Sequence, residues 1–114
     1  MPKDTNAQGD IFGGWIMAQV DIAGAVIASS FAESKVVTVA VKEFVFKKPV
    51  FVGDLISCYA KVVKVGTTSI TVHVEVCAQR FSQRGECIPV TEATVVYVSI
   101  DDEGQPVKIS NEKT

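Results

Sequence analysis

With 114 residues, 47% of them apolar and 21% charged, the chain suits one domain, residues 1–114, around one core, and leaves no room for a second domain or a long disordered tail. A formal net charge of -2, with no like-charge run longer than Asp101-Asp102-Glu103, excludes the basic footprint of a nucleic-acid binder. Cys58, Cys77 and Cys87 form an odd set without CxxC spacing, and His73 is the single imidazole, so neither a disulfide framework nor a metal site is expected and the setting reads as reducing and cytoplasmic.

In chain order, the segment from Met1 to Gly14 reads as a loop because Pro2, Asp4, Asn6, Gly9, Gly13 and Gly14 are turn formers. From Trp15 to about Ala32 there is no proline, and apolar side chains cover nearly every side, which predicts a helix buried on most faces. Its longest apolar stretch, Ile22 to Ala28, is broken by Gly24 and falls short of the ~20 residues that span a bilayer. No N-terminal signal peptide is evident, so no stable membrane association is expected. Beyond Glu33 the pattern changes to β-branched runs, predicting strands over Val36 to Phe46, Leu55 to Val65, Ser69 to Ala78 and Val90 to Ile100. They are separated by Lys48-Pro49 with Gly53-Asp54, by Gly66-Thr67, and by Arg84-Gly85 with Pro89. In the third strand Ile70, Val72, Val74 and Val76 share one face and Thr71, His73, Glu75 and Cys77 the other, the pattern of a half-buried strand. One apolar helix followed by antiparallel strands is an α+β layout in which a curved sheet wraps the helix.

Asp21 interrupts this order. Together with Gln19 it is the only strongly polar side chain between Gly14 and Ala28. An ionised carboxylate in such surroundings costs several kcal/mol unless it is paired or hydrogen-bonded. Either Asp21 reaches a backbone amide or a subunit interface, or its environment serves chemistry. Asp21 follows Gly14 by seven residues, so on a helix with 3.6 residues per turn the two share a stripe. A helix opening at Gly13 and Gly14 would offer free N–H groups and a positive dipole end to a developing oxyanion; the same pair could equally be an ordinary turn.

The stretch from Asp4 to Trp15, DTNAQGDIFGGW, followed by Met17 and Asp21, resembles the signature of hotdog acyl-CoA hydrolases, and among them the small YciA-like bacterial branch. The resemblance continues through Val37-Thr38-Val39, Pro49-Val50 with Val52-Gly53-Asp54, and Gly66-Thr67-Thr68-Ser69-Ile70, covering Asp4 to about Ile100. It implies a hotdog fold and hydrolysis of the acyl-CoA thioester. Asp21 would be the catalytic carboxylate, Asn6 a partner from the preceding loop, and Gly13 and Gly14 the oxyanion donors. Coenzyme A contacts would fall on Val39, Ala40 and Val41 and on Thr68, Ser69 and Ile70. No metal and no resident cofactor are implied, since coenzyme A belongs to the substrate and leaves as product. The resemblance further implies a homo-oligomer, a dimer at least and a trimer of dimers by family habit, with active sites at the dimer interface; each site is therefore expected to take Asn6 from one subunit and Asp21 from the other. Family members carry a strand ahead of the position of Met1 and a longer tail after Ile109, so the chain is expected to be a trimmed portion. Phe12 stands where other hotdog branches often have histidine, which leaves polarisation to the backbone.

Two other functions fit the same fold: a non-catalytic acyl-CoA binding or sensing module, which needs no carboxylate aimed at the carbonyl, and a dehydratase, which relies on a histidine with an acidic partner. His73 lies on the polar face of a strand and reads as an exposed or interface residue. Lys47, Lys48, Lys61 and Lys64 fit either coenzyme A phosphates or the protection of edge strands. Trp15 and Phe12 fit either an acyl pocket or plain core contacts.

Overall fold

A computed structural model describes residues 3–50, 54–79 and 86–109, with side chains from residue 13 onward. One helix, α1 (Lys3–Ala32), precedes four strands, β1 (Lys35–Phe46), β2 (Leu55–Val65), β3 (Ser69–Gln79) and β4 (Cys87–Ile100). The strands form a single antiparallel sheet in the order β1-β4-β3-β2, which agrees with the α+β expectation.

The helix corrects the expected boundary. It begins at Lys3, not Trp15, so the segment expected as a loop up to Gly14 is helical from Lys3 on. Glycine in a helix interior costs only about 1 kcal/mol relative to alanine, and no proline follows Pro2 in this segment, so the turn formers weaken helix here without forbidding it. At the other end Glu33 adopts a positive φ of 56° and its N–H bonds the Ser29 carbonyl at 2.8 Å, a left-handed cap that stops α1.

Ile16, Val20, Gly24 and Ala28, spaced by four, form the buried row of α1. The opposing layer is Ile70, Val72, Val74, Val76 and Ala78 of β3 with Val90, Ala93, Val95 and Tyr97 of β4, all fully buried. The alternation anticipated for β3 holds: Thr71, His73 and Cys77 are half-buried and Glu75 is exposed on the outer face. Strand β4 starts earlier than expected and includes Pro89. The pairing of β1 with β4 ends at Thr91, and a register shift lies between Val76 and Cys77 of β3, so Pro89 falls at a bulge beyond the two-sided part of the sheet, where a missing N–H is tolerated.

The edge strands differ from the centre. In β1, Val37, Val39, Val41, Val45 and Phe46 are exposed, as are Leu55, Tyr59 and Val63 in β2. Averaged over Gly13–Ala32, α1 reaches a mean hydropathy of 1.4, apolar enough by length and composition to pass for a membrane span, because Ile16, Met17, Val20 and Phe31 add to the stretch from Ile22 to Ala28. Its buried row packs on β3 and β4, so within the subunit the helix is buried along one face and not on most faces as the sequence led one to expect, with Trp15, Ile22 and Val26 exposed.

Candidate active site

Asp21 lies on α1 between buried Val20 and exposed Ile22 and is itself half-buried. Its carboxylate is directed to β1, where Thr38 Oγ1 donates to Asp21 Oδ1 at 2.6 Å. Its carbonyl is also bonded from outside the helix: the Tyr97 hydroxyl donates to Asp21 O at 2.7 Å. Burial first, and then the negative charge and hydrogen bonding of Asp21, push the Tyr97 hydroxyl well above the usual phenol range, so it stays a proton donor. Sheet register explains why these groups meet. Tyr97 of β4 pairs with Thr38 on one side and Ile70 on the other, forming one row across β1, β4 and β3 beneath the helix.

Neither Thr38 nor Tyr97 carries a role in the sequence reading. The available signal is a hydroxyl residue within an apolar strand run, Val37-Thr38-Val39 and Val96-Tyr97-Val98, but such residues become site candidates only once register brings them under Asp21.

Gly13 and Gly14 lie within α1, where amide N–H groups are engaged by carbonyls four residues earlier, instead of at its free end. Gly13 borders a groove of about 380 Å³ together with Ile16, Phe46, Lys47, Lys48, Pro49 and Val50. The groove is apolar at its walls, with two lysines beside them. Asn6 belongs to α1, but its side chain lies outside the described residues.

The two segments expected to contact coenzyme A occupy the same end of the sheet. Val39 is the extra residue of a bulge between Thr38 and Ala40; it is exposed, as is Val41, while Ala40 is half-buried and pairs with Val96. The hairpin before β3 is closed by a bond from Gly66 N–H to the Ser69 carbonyl, and is tied down by Ser99 N–H on Thr68 O and Ile109 N–H on Thr67 O, each at 2.8 Å. Ile70 is fully buried in the core, so its side chain is not on the surface of the subunit.

On the opposite face of the sheet His73 Nε2 stands 3.7 Å from Glu92 Oε1, and Lys47 forms an ion pair with the same carboxylate. The Lys47 contact holds Glu92 below and Lys47 above their usual ranges. His73 thus lies in a surface network across the sheet from Asp21.

Residues 8–83 match the thioesterase superfamily. The chain belongs to that superfamily. As a superfamily member it is 49% identical over 108 residues to the acyl-CoA thioester hydrolase YciA of Salmonella typhimurium, an alignment covering 93% of this chain and 81% of the relative. A hexameric hotdog-fold thioesterase of Campylobacter jejuni superposes with a TM-score of 0.86 at 53% identity, covering 99% of this chain and 86% of that one. A hexameric broad-specificity acyl-coenzyme A thioesterase, solved as a variant with an aspartate replaced by alanine, superposes with a TM-score of 0.85 at 46% identity, covering 98% and 82%. The antiparallel sheet around one helix is therefore the hotdog fold of this superfamily.

Proposed function

We infer that the chain is an acyl-CoA thioesterase, hydrolysing acyl-CoA to a free carboxylic acid and coenzyme A. Family membership and the kinship to named acyl-CoA hydrolases support this activity. The observation that carries it to particular atoms is Asp21, a half-buried carboxylate on an otherwise apolar helix face, held by Thr38 at 2.6 Å.

In this reading water attacks the thioester carbonyl, the C–S bond breaks, and the coenzyme A sulfur takes up a proton. With Oδ1 held by Thr38, Oδ2 of Asp21 is the oxygen that removes the proton from that water, or else attacks the carbonyl first, expelling the coenzyme A thiolate and leaving a mixed anhydride that water then hydrolyses to the free acid and Asp21. We assign the oxyanion to amides of Gly13 and Gly14 on the condition that the first turns of α1 unwind on binding. Gly9, Gly13 and Gly14 make those the least costly turns of the helix to open. Asn6 would then orient the attacking water. The groove beside Gly13 has the volume and apolar walls of a small-molecule site, and we assign it to the substrate tail, with Lys48 among its lining residues assigned to phosphate. Val39, Ala40 and Val41 and the Thr68-Ser69 turn remain the coenzyme A contacts, with the main chain serving at Ile70.

The exposed apolar face of α1 and the two sheet edges, which have no strand partner among the described residues, call for a second copy, and two of the solved relatives are hexameric, so the assembly is a homo-oligomer built as a trimer of dimers. Free Cys58, Cys77 and Cys87 fit a cytoplasmic setting. The test is thiol release from a panel of acyl-CoAs by wild type and Asp21→Asn. Turnover by wild type that Asp21→Asn lowers to a small residual rate is expected; tight acyl-CoA binding without turnover would convert the assignment to a binding module.

A further inference from the structure

Gly24 lies three residues after Asp21 in the buried row of α1. A Cβ at this position would stand 2.3 Å from the Tyr97 hydroxyl oxygen, closer than side chains pack, and a tight 3.0 Å from the ring carbon that bears it, so the tyrosine would have to shift. Glycine in mid-helix weakens the helix, yet here it opens the space through which the hydroxyl reaches the Asp21 carbonyl. A helix carbonyl already bonded to the N–H four residues on keeps a second lone pair, so Tyr97 adds a bond without breaking the ladder.

Tyr97 is fully buried and is paired in register with Thr38. Two hydroxyls from neighbouring positions on adjacent strands therefore grip one residue of α1: Tyr97 by its main chain, Thr38 by its carboxylate. We propose that Tyr97 is a positioning residue for the thioester hydrolysis assigned to Asp21, an inference that rests on that assignment, and that Gly24 serves to admit its hydroxyl. Holding the Asp21 carbonyl against β4 fixes the turn that carries the carboxylate, and because Thr38 belongs to the same row, the reach from carboxylate to Thr38 is set by the same contact. Loss of the hydroxyl frees that turn to shift while leaving the ring packed.

Thiol release would be followed for wild type, Tyr97→Phe, Asp21→Asn and the double variant, with melting temperature and assembly mass measured on each. Tyr97→Phe should lower kcat about tenfold with KM changed less than about twofold, since a misplacement of about 1 Å can cost on the order of a hundredfold. In the Asp21→Asn background the same change should cost nothing further, because the group it positions is gone. A folded Tyr97→Phe protein with wild-type kcat overturns the proposal, as does an equal loss in the Asp21→Asn background, which would mark a general structural effect. Should Tyr97→Phe not fold, Gly24→Ala carries the test from the helix side: alanine favours helix, so lowered kcat in a folded protein is expected and unchanged kcat overturns the pairing. Wild type inactive on every acyl-CoA would sink the hydrolase reading and this proposal together. An active wild type, a strongly impaired Asp21→Asn and an unimpaired Tyr97→Phe would sink the proposal alone.

Discussion

Along α1, Ile16, Val20, Gly24 and Ala28 lie buried on β3 and β4, whereas Trp15, Ile22 and Val26, which share the opposite stripe, are 46 to 65% exposed. Within the buried row Ile16 and Val20 fill the core, while Gly24 leaves the space that the Tyr97 hydroxyl occupies. The exposed row has no partner among the described residues, and a patch of large apolar side chains of that kind marks an interaction surface. Asp21 sits at the seam between the two rows, half-buried, where its carboxylate can be held by one face and reach the other. Polar chemistry is thus placed at the border of the core, where a charge can be hydrogen-bonded without full desolvation.

The comparison is broken most severely at the seam itself. Asp21→Asn is nearly isosteric and should leave the fold intact while lowering kcat by about 10²–10⁴-fold, the range for loss of a general base, as read by thiol release. Next comes the buried row. Ile16→Ala removes a fully buried side chain and should cost about 2–5 kcal/mol in denaturant unfolding, whereas Ile22→Ala, six residues on, should cost far less in a dissociated subunit.

The exposed row is sharpened by charge. Ile22→Glu together with Val26→Glu should leave secondary structure unchanged by circular dichroism but shift the light-scattering mass toward smaller species at micromolar concentration. An unchanged mass would place the subunit contacts elsewhere.

A smaller effect is expected at high pH. The folded state raises the Tyr97 ionisation above the 10.0 of a free phenol, so its contribution to stability is fully present below about pH 10 and is lost as pH rises toward the folded value. Wild type should therefore lose more of its melting temperature above pH 10 than Tyr97→Phe does. Smallest of all, Lys47→Ala on the outer face removes an exposed ion pair with Glu92 and should leave the melting temperature unchanged within error, salt present or absent.

Alternation in β3 is legible from sequence because a strand with one face on the core must place Ile70, Val72, Val74 and Val76 on the same side, and the period of two leaves no other solution. Asp21 is legible for the same kind of reason: a carboxylate among apolar helix residues demands a partner, whatever the fold. Its family signature further restricts the chemistry to acyl-CoA thioesters. The identity of that partner is not legible. Thr38 and Tyr97 reach Asp21 because β1 and β4 pair in one register across a bulge at Val39, and register is decided by contacts between residues far apart in the chain. The start of α1 is illegible for a different reason: single glycines cost about 1 kcal/mol each in helix, too little to fix a boundary that the other helical residues can outweigh. Composition and periodicity thus determined the α+β class, the strands and the residue that needs explaining, while only the tertiary structure, by bringing distant strands under one helix turn, decided which hydroxyls hold it.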